Sequence, residues 1–373
     1  MRADVSADVR RLLFLSTPVG PLGSGLGGGV ELTLENIAHA LCQRGYVIQV
    51  VAPMGSILDN VSLIEIPGEL QVTAQTQGRD ALITLPSNSV LANMWNYARQ
   101  VQDEYDLLLN FAYDWLPFYL TPWFHRPIAH LVSMGSLTTA MDSIIHQVAV
   151  EFPETIGVHS LAQAATFSFG DRCRCLGNGF DLSHYEFCQT PKHQLGWVGR
   201  IAPEKGIEDA IAAVQRVNIP LKVWGAMPDQ AYWENILRAY PNAPVTYEGF
   251  LPTHQLQHEL GRCKGMLMTP KWVEAFGNVA VEALACGVPV IAYRRGGPAE
   301  IIEDGVTGWL VEPDSIEKLV EAITHLDQIS RDACRYHAET HYSLAAMGDR
   351  IEQWLDAIVT RNIKINHQNQ IFL

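Results

Sequence analysis

Short apolar runs alternate with amphipathic stretches along most of the chain. Arg11-Leu-Leu-Phe-Leu-Ser16 reads as a first strand, Leu32 to Arg44 as a helix, and Val47 to Ala52 as a second strand. Leu107–Asn110 and Ile128–Val132 are further short strands. After Asn178 the pattern restarts: strand Gln194–Val198, helix Ile207–Val217, strand Leu221–Trp224, helix Asp229–Ala239. Strand, helix and strand in repetition predict parallel sheets with crossover helices, hence an α/β fold of two doubly wound, Rossmann-like units. A chain of 373 residues exceeds one ordinary core. The expected division is residues 1–180 with 342–373, and 181–341; the last apolar-periodic stretch, Leu344 to Ile358, returns to the first unit. Such sheets bind ligands at the carboxyl ends of their strands.

Composition narrows the partners. Hydrophobic residues make up 48% and charged residues 18%, as in a globular protein with sizeable cores. The seven cysteines are odd in number and scattered, which suits a reducing, cytoplasmic setting. Cys173 and Cys175 lack a second ligand pair nearby, so no metal site is expected. His254 and His258 read as exposed positions on one helix face. The formal charge of −14 argues against nucleic acid and against anionic membrane surfaces. Residues 1–170 hold seven arginines, no lysine and fifteen acidic residues, so a basic membrane-docking face is not expected there. Leu12-Leu-Phe-Leu15 is too short for a signal core or a membrane span.

Between Trp272 and Ala292, two glutamates stand eight residues apart. Glu274 precedes a Phe276-Gly277-Asn278 turn, and Glu282 falls within a helix-forming stretch that Gly287 and Pro289 close. A carboxylate at a turn before a helix N-terminus can hold hydroxyls with one group and an anion with backbone N–H donors. That combination fits a sugar nucleotide. A surface Glu followed by a solvent-facing helical Glu is the plainer alternative.

The segment resembles the Glu-x7-Glu signature of retaining glycosyltransferases of family 4. Gly199-Arg200-Ile-Ala-Pro-Glu-Lys205-Gly206 is similar to that family's diphosphate-binding stretch, and Asn178-Gly179-Phe180-Asp181 to the entry of its second domain. Gly296-Gly297-Pro298-Ala-Glu300 and Asp304-Gly305-x-x-Gly308 resemble its closing motifs. The resemblance is strongest from Asn178 to Val311. It implies the GT-B fold, two Rossmann-like domains facing across a cleft. It also implies transfer of a hexose from a nucleotide sugar with retention of configuration and without a metal or cofactor. Arg200 and Lys205 would then stabilise the leaving diphosphate, Glu282 would hold the ribose hydroxyls, and Glu274 with backbone N–H groups at Phe276, Gly277 and Asn278 would hold the sugar. Gly225, Val279, Phe250 and Leu251 complete the expected donor site, the last two beside the base.

The first half offers less. Gly23-x-Gly25-x-x-Gly28 formally matches a dinucleotide fingerprint, so a nicotinamide-dependent oxidoreductase is the competing class. The first glycine lies several residues beyond the strand, and the second strand ends Val-Val-Ala52-Pro53 with no acidic residue for a ribose. Gly28 and Gly29 are instead expected to admit the donor's phosphates close to the backbone; a purely structural loop is the alternative. His130, at a strand end, is a candidate for the reaction centre or for a core histidine. Phe111 to Phe124 packs seven aromatics into fourteen residues, either core packing or a platform for a planar ring. The Ser16–Leu32 opening resembles enzymes that glucosylate pterins, such as tetrahydrobiopterin, from UDP-glucose. The expected partners are therefore UDP-glucose and a small soluble acceptor, with a sugar or lipid acceptor as the alternative; the oligomeric state, a homo-oligomer included, is open.

Overall fold

A computed structural model describes residues 10–371, which divide into two compact units. The first runs to His159 and adds Ala164–Gly179 and the chain from Leu344 onward; the second comprises Ser160–Gln163 and Phe180–Ser343. The divisions after Gly179 and Ser343 lie one and two residues from those expected, and residues 160–163 join the second unit.

The first unit is built on seven parallel strands: β1 (Arg11–Leu15), β2 (Val47–Pro53), β3 (Ser62–Ile66), β4 (Leu107–Asn110), β5 (Ile128–Leu131), β6 (Ile156–Val158) and β7 (Arg174–Cys175). Their order is β3-β2-β1-β4-β5-β6-β7. β1 shows why its sequence is a continuous apolar run rather than an alternating one: both faces of the sheet are covered. Leu12 and Phe14 pack with Leu34, Ile37 and Leu41 of the helix Gly29–Cys42 and with Met347, Ile351 and Trp354 of the C-terminal helix Leu344–Ile371. Leu13 and Leu15 face the other way, onto Leu91, Met94 and Trp95 of the helix Val90–Val101. The C-terminal helix is fastened by the Trp354 indole N–H to Glu154 O at 2.6 Å and by Arg44 to Asp349 at 2.8 Å.

The second unit carries six parallel strands: β8 (Leu195–Val198), β9 (Leu221–Trp224), β10 (Val245–Gly249), β11 (Gly265–Met268), β12 (Val290–Tyr293) and β13 (Gly308–Val311), in the order β10-β9-β8-β11-β12-β13. Leu195, Trp197, Val223, Leu267 and Ile291 meet Ile211 and Val214 of the helix Ile207–Val217 in its core. Both units are doubly wound. Strand order reverses between β1 and β4 in one and between β8 and β11 in the other, and the loops leaving those strands are where such sheets gather ligands. Among the described residues, no helix is long and apolar enough to cross a membrane.

Candidate functional site

Most of the expected site residues lie on loops at the carboxyl ends of the second sheet. The loops after β8 and β9 are pressed together: the Gly199 N–H bonds Trp224 O at 3.0 Å, and Gly225 sits at φ +141°. A Cβ on Gly225 would lie 1.9 Å from Gly199 O, so only glycine fits. Gly225→Ala is therefore expected to lower the melting temperature by on the order of 10 °C, from combined overpacking and backbone strain. Calorimetry of the variant checks this; a melt indistinguishable from wild type would mean the two loops are not held this close.

The loops after β8 and β11 are stitched in the same way. Gly206 has φ +63°, and a Cβ there would fall 2.1 Å from Thr269 O. The Thr269 hydroxyl donates to Gly206 O at 2.7 Å, and the Lys271 N–H to Glu204 O at 2.8 Å. The Lys271 ammonium bonds Asp209, which also accepts from the Tyr293 hydroxyl at 2.6 Å. Arg295 ties Pro270 O at 2.8 Å and Asp314 at 2.6 Å. These contacts bring together two residues 69 positions apart: the Lys205 ammonium donates to Glu274 Oε2 at 2.6 Å. The main chain of Glu274 is held too, its carbonyl accepting from the Gly297 N–H at 2.8 Å. A Cβ on Gly296 would lie 2.6 Å from Glu274 N, which explains the paired glycines there. Arg200 forms an ion pair with Glu204. Both expected diphosphate cations are thus bonded to carboxylates in this structure.

Glu274 leads into Phe276, whose ring meets Tyr342 edge-on at 5.9 Å, and Gly277, at φ +103°. The helix Asn278–Ala285 starts there, carrying Val279 in its first turn and ending ahead of Gly287 at φ +77°. Glu282, on this helix, is 8% exposed. Among the described residues none donates a hydrogen bond to its carboxylate, and burial pushes its pKa up to about 7. A buried carboxyl of this kind is costly to the fold unless a ligand supplies donors. After β10, Phe250 is 71% exposed, and Leu251 lines a cavity of about 520 Å³ with His184, Gln255 and Gln257.

The remaining candidates belong to the first unit. Gly28, at φ +59°, stands at the start of the helix that begins with Gly29, three residues before the expected Leu32. A Cβ on Gly28 would meet nothing within 4 Å. Glu31, which the sequence reading passed over, clasps this loop: its carboxylate accepts from the N–H groups of Gly23 at 2.8 Å, Gly25 at 3.2 Å and Gly27 at 2.6 Å. A glutamate two residues beyond a Gly-Gly pair was the available signal.

His130 is the core histidine of the two readings offered for it. It is wholly buried, stacked 4.3 Å from Phe118. Asn110 Nδ2 donates to its Nδ1 at 3.1 Å, so Nε2 carries the proton toward Thr121 Oγ1 at 2.9 Å, and that hydroxyl donates to Pro117 O. Burial lowers its pKa to about 3, which keeps it neutral. Both of its nitrogens are engaged inside the core. In the aromatic segment, Phe111 and Phe118 are core residues, whereas Trp115 and Tyr119 stack at 4.6 Å, and Tyr119 and Trp123 are 46% and 67% exposed. Trp272 was also missed by the sequence reading: its indole N–H donates to Glu274 Oε2 at 3.0 Å.

Residues 188–341 match the family Glycosyl transferases group 1. Over 161 residues the chain is 32% identical to glycogen synthase of Mycobacterium tuberculosis, covering 39% of this chain and 37% of that one. Over 100 residues it is 35% identical to sucrose synthase of Acidithiobacillus caldus, covering 26% and 13%. The chain spans less than half the length of these curated relatives. Among solved structures, HepE of Anabaena in complex with UDP superposes with a TM-score of 0.74 at 19% identity, covering 93% of this chain and all of that one. Sucrose-phosphate synthase of Thermosynechococcus elongatus gives 0.68 at 17% identity, covering 98% and 100%. At such identities the likeness is one of fold: two parallel sheets with helices, as in GT-B glycosyltransferases.

Proposed function

We propose that this protein is a retaining, metal-independent glycosyltransferase that moves glucose from UDP-glucose to a small soluble acceptor of the pterin kind. The observation that carries the reading is Glu282, a buried carboxyl with no donor among the described residues, eight residues beyond a Glu274 that is bonded to Lys205. Ribose hydroxyls would supply the missing donors. The group 1 match over residues 188–341 supports the nucleotide-sugar class, and HepE, which has been solved with UDP-glucose, supports this donor.

The chemistry follows from charge. As the sugar leaves, negative charge grows on the β-phosphate, and fixed cations lower the barrier where that charge develops. Arg200 would exchange Glu204 for phosphate oxygens, and Lys205 would share its ammonium between Glu274 and the phosphate. In front-face transfer the departing phosphate accepts the acceptor's proton, so no protein base is needed. The stacked Trp115–Tyr119 pair and the exposed Trp123 support a planar acceptor. A sugar acceptor is the second reading, favoured by the names of the sucrose and glycogen synthase relatives.

Thermal melts with UDP-, GDP- and ADP-glucose test the donor, since stabilisation follows ligand concentration over affinity. UDP-glucose is expected to raise the melting temperature most. Radiolabelled UDP-glucose with tetrahydrobiopterin or with simple sugars, in EDTA, then tests the acceptor. Label reaching only the sugars would overturn the pterin reading, and loss of transfer in EDTA would overturn metal independence.

A further inference from the structure

Glu274 has two oxygens with different surroundings. Oε2 accepts from Lys205 Nζ at 2.6 Å and from Trp272 Nε1 at 3.0 Å. Among the described residues, nothing donates to Oε1, although the side chain is only 15% exposed. The Lys205 ammonium also lies 5.0 Å from the centre of the Trp272 ring, within cation–π range. One tryptophan therefore touches both members of the ion pair, gripping the carboxylate by its N–H and the ammonium by its face.

We infer that Trp272 is a positioning residue for the sugar half of the donor. It pins Oε2 and so turns Oε1 toward the hydroxyls of the transferred sugar. A carboxylate bonded to lysine alone can rotate and offer either oxygen, because an ammonium is a point charge without directional preference. The indole N–H is directional and fixed by a large, half-buried ring, so it removes that freedom. Its effect falls on recognition of the sugar, not of the nucleoside diphosphate. The inference rests on the donor-site reading of Glu274 given above.

The test compares UDP with UDP-glucose by calorimetric titration. Trp272→Phe keeps a ring beneath Lys205 and deletes only the N–H. It is expected to weaken UDP-glucose by about tenfold, the scale of a lost hydrogen bond to a charged group, while UDP affinity stays within about twofold. Trp272→Leu removes the ring as well and is expected to weaken UDP too, because Lys205 loses its support. In a Glu274→Gln background, Trp272→Phe should add little, since residues acting through one another are not additive. Equal loss for UDP and UDP-glucose in Trp272→Phe, or full additivity with Glu274→Gln, would reduce Trp272 to a packing residue and overturn the inference. If the wild-type protein binds neither ligand, the donor-site reading itself falls, and this inference with it.

Discussion

Replacing Lys205 by alanine is expected to slow UDP release from UDP-glucose by ~10²–10³-fold, the usual cost of removing one preorganised group that meets developing charge. The geometry makes the loss specific. Lys205 is held in place by a carboxylate and an indole face, and its side chain is 24% exposed, so it is positioned without being sealed from a ligand. Because the ion pair is partly exposed, its contribution to the fold is small, and the variant should melt close to wild type. Lys205→Arg keeps the charge and should recover part of the rate. A coupled assay of UDP release, run with whichever acceptor supports turnover, reads all three proteins. An alanine variant retaining more than about a tenth of the activity would show that the leaving group draws its stabilisation elsewhere.

Glu282 leads to a second large effect, on pH dependence. Burial raises its pKa from the ordinary 4.5 to about 7 in the fold. The folded chain therefore keeps a proton that the unfolded chain releases, and the stability this confers is complete below pH 4.5 and lost as pH rises through about 7. The shift corresponds to roughly 3 kcal/mol by pH 8. Glu282→Gln removes the penalty, so the unliganded variant should melt above wild type at pH 8 and not at pH 5. Binding should run the other way. Ribose hydroxyls bond best to an ionised carboxylate, so wild-type affinity for UDP-glucose is expected to rise between pH 5.5 and 8, whereas the Gln variant binds weakly and without that slope. UDP-glucose suits the measurement because its diphosphate has no proton to lose in this range. A wild-type binding curve flat across the window would remove Glu282 from the nucleotide site.

Much of the architecture could be read from the chain because buried parallel strands announce themselves as unbroken apolar runs. Leu107–Asn110 and Leu221–Trp224 match their strands residue for residue. The two-residue strand β7 and the three-residue β6 are too short to leave such a signal. The helix after the glycine loop starts at Gly29 rather than Leu32, since the apolar period begins later than the backbone turn. In the candidate site, the glycine and glutamate spacings marked loops that the structure brings together, but not what holds them. The bond between Lys205 and Glu274 depends on Gly206 admitting Thr269 O, which no local pattern reveals. His130 stayed open between two readings for a related reason: a histidine at a strand end suggests chemistry, and only the neighbours Asn110 and Thr121 show that both its nitrogens are engaged.

The four residues Ser160–Gln163 set a limit on how this protein can be cut. They precede Phe180 in the chain, yet Glu300 accepts the N–H groups of Leu161 at 2.9 Å and Ala162 at 2.6 Å, and the Ser160 hydroxyl donates to Ala275 O at 2.6 Å, beside Glu274. A fragment begun at Phe180 would contain every strand of the second sheet but would lose the donors that those acceptors need. Modular recombination within this fold must therefore carry a short upstream splint, or the loop bearing Glu274 is delivered with one of its fastenings missing.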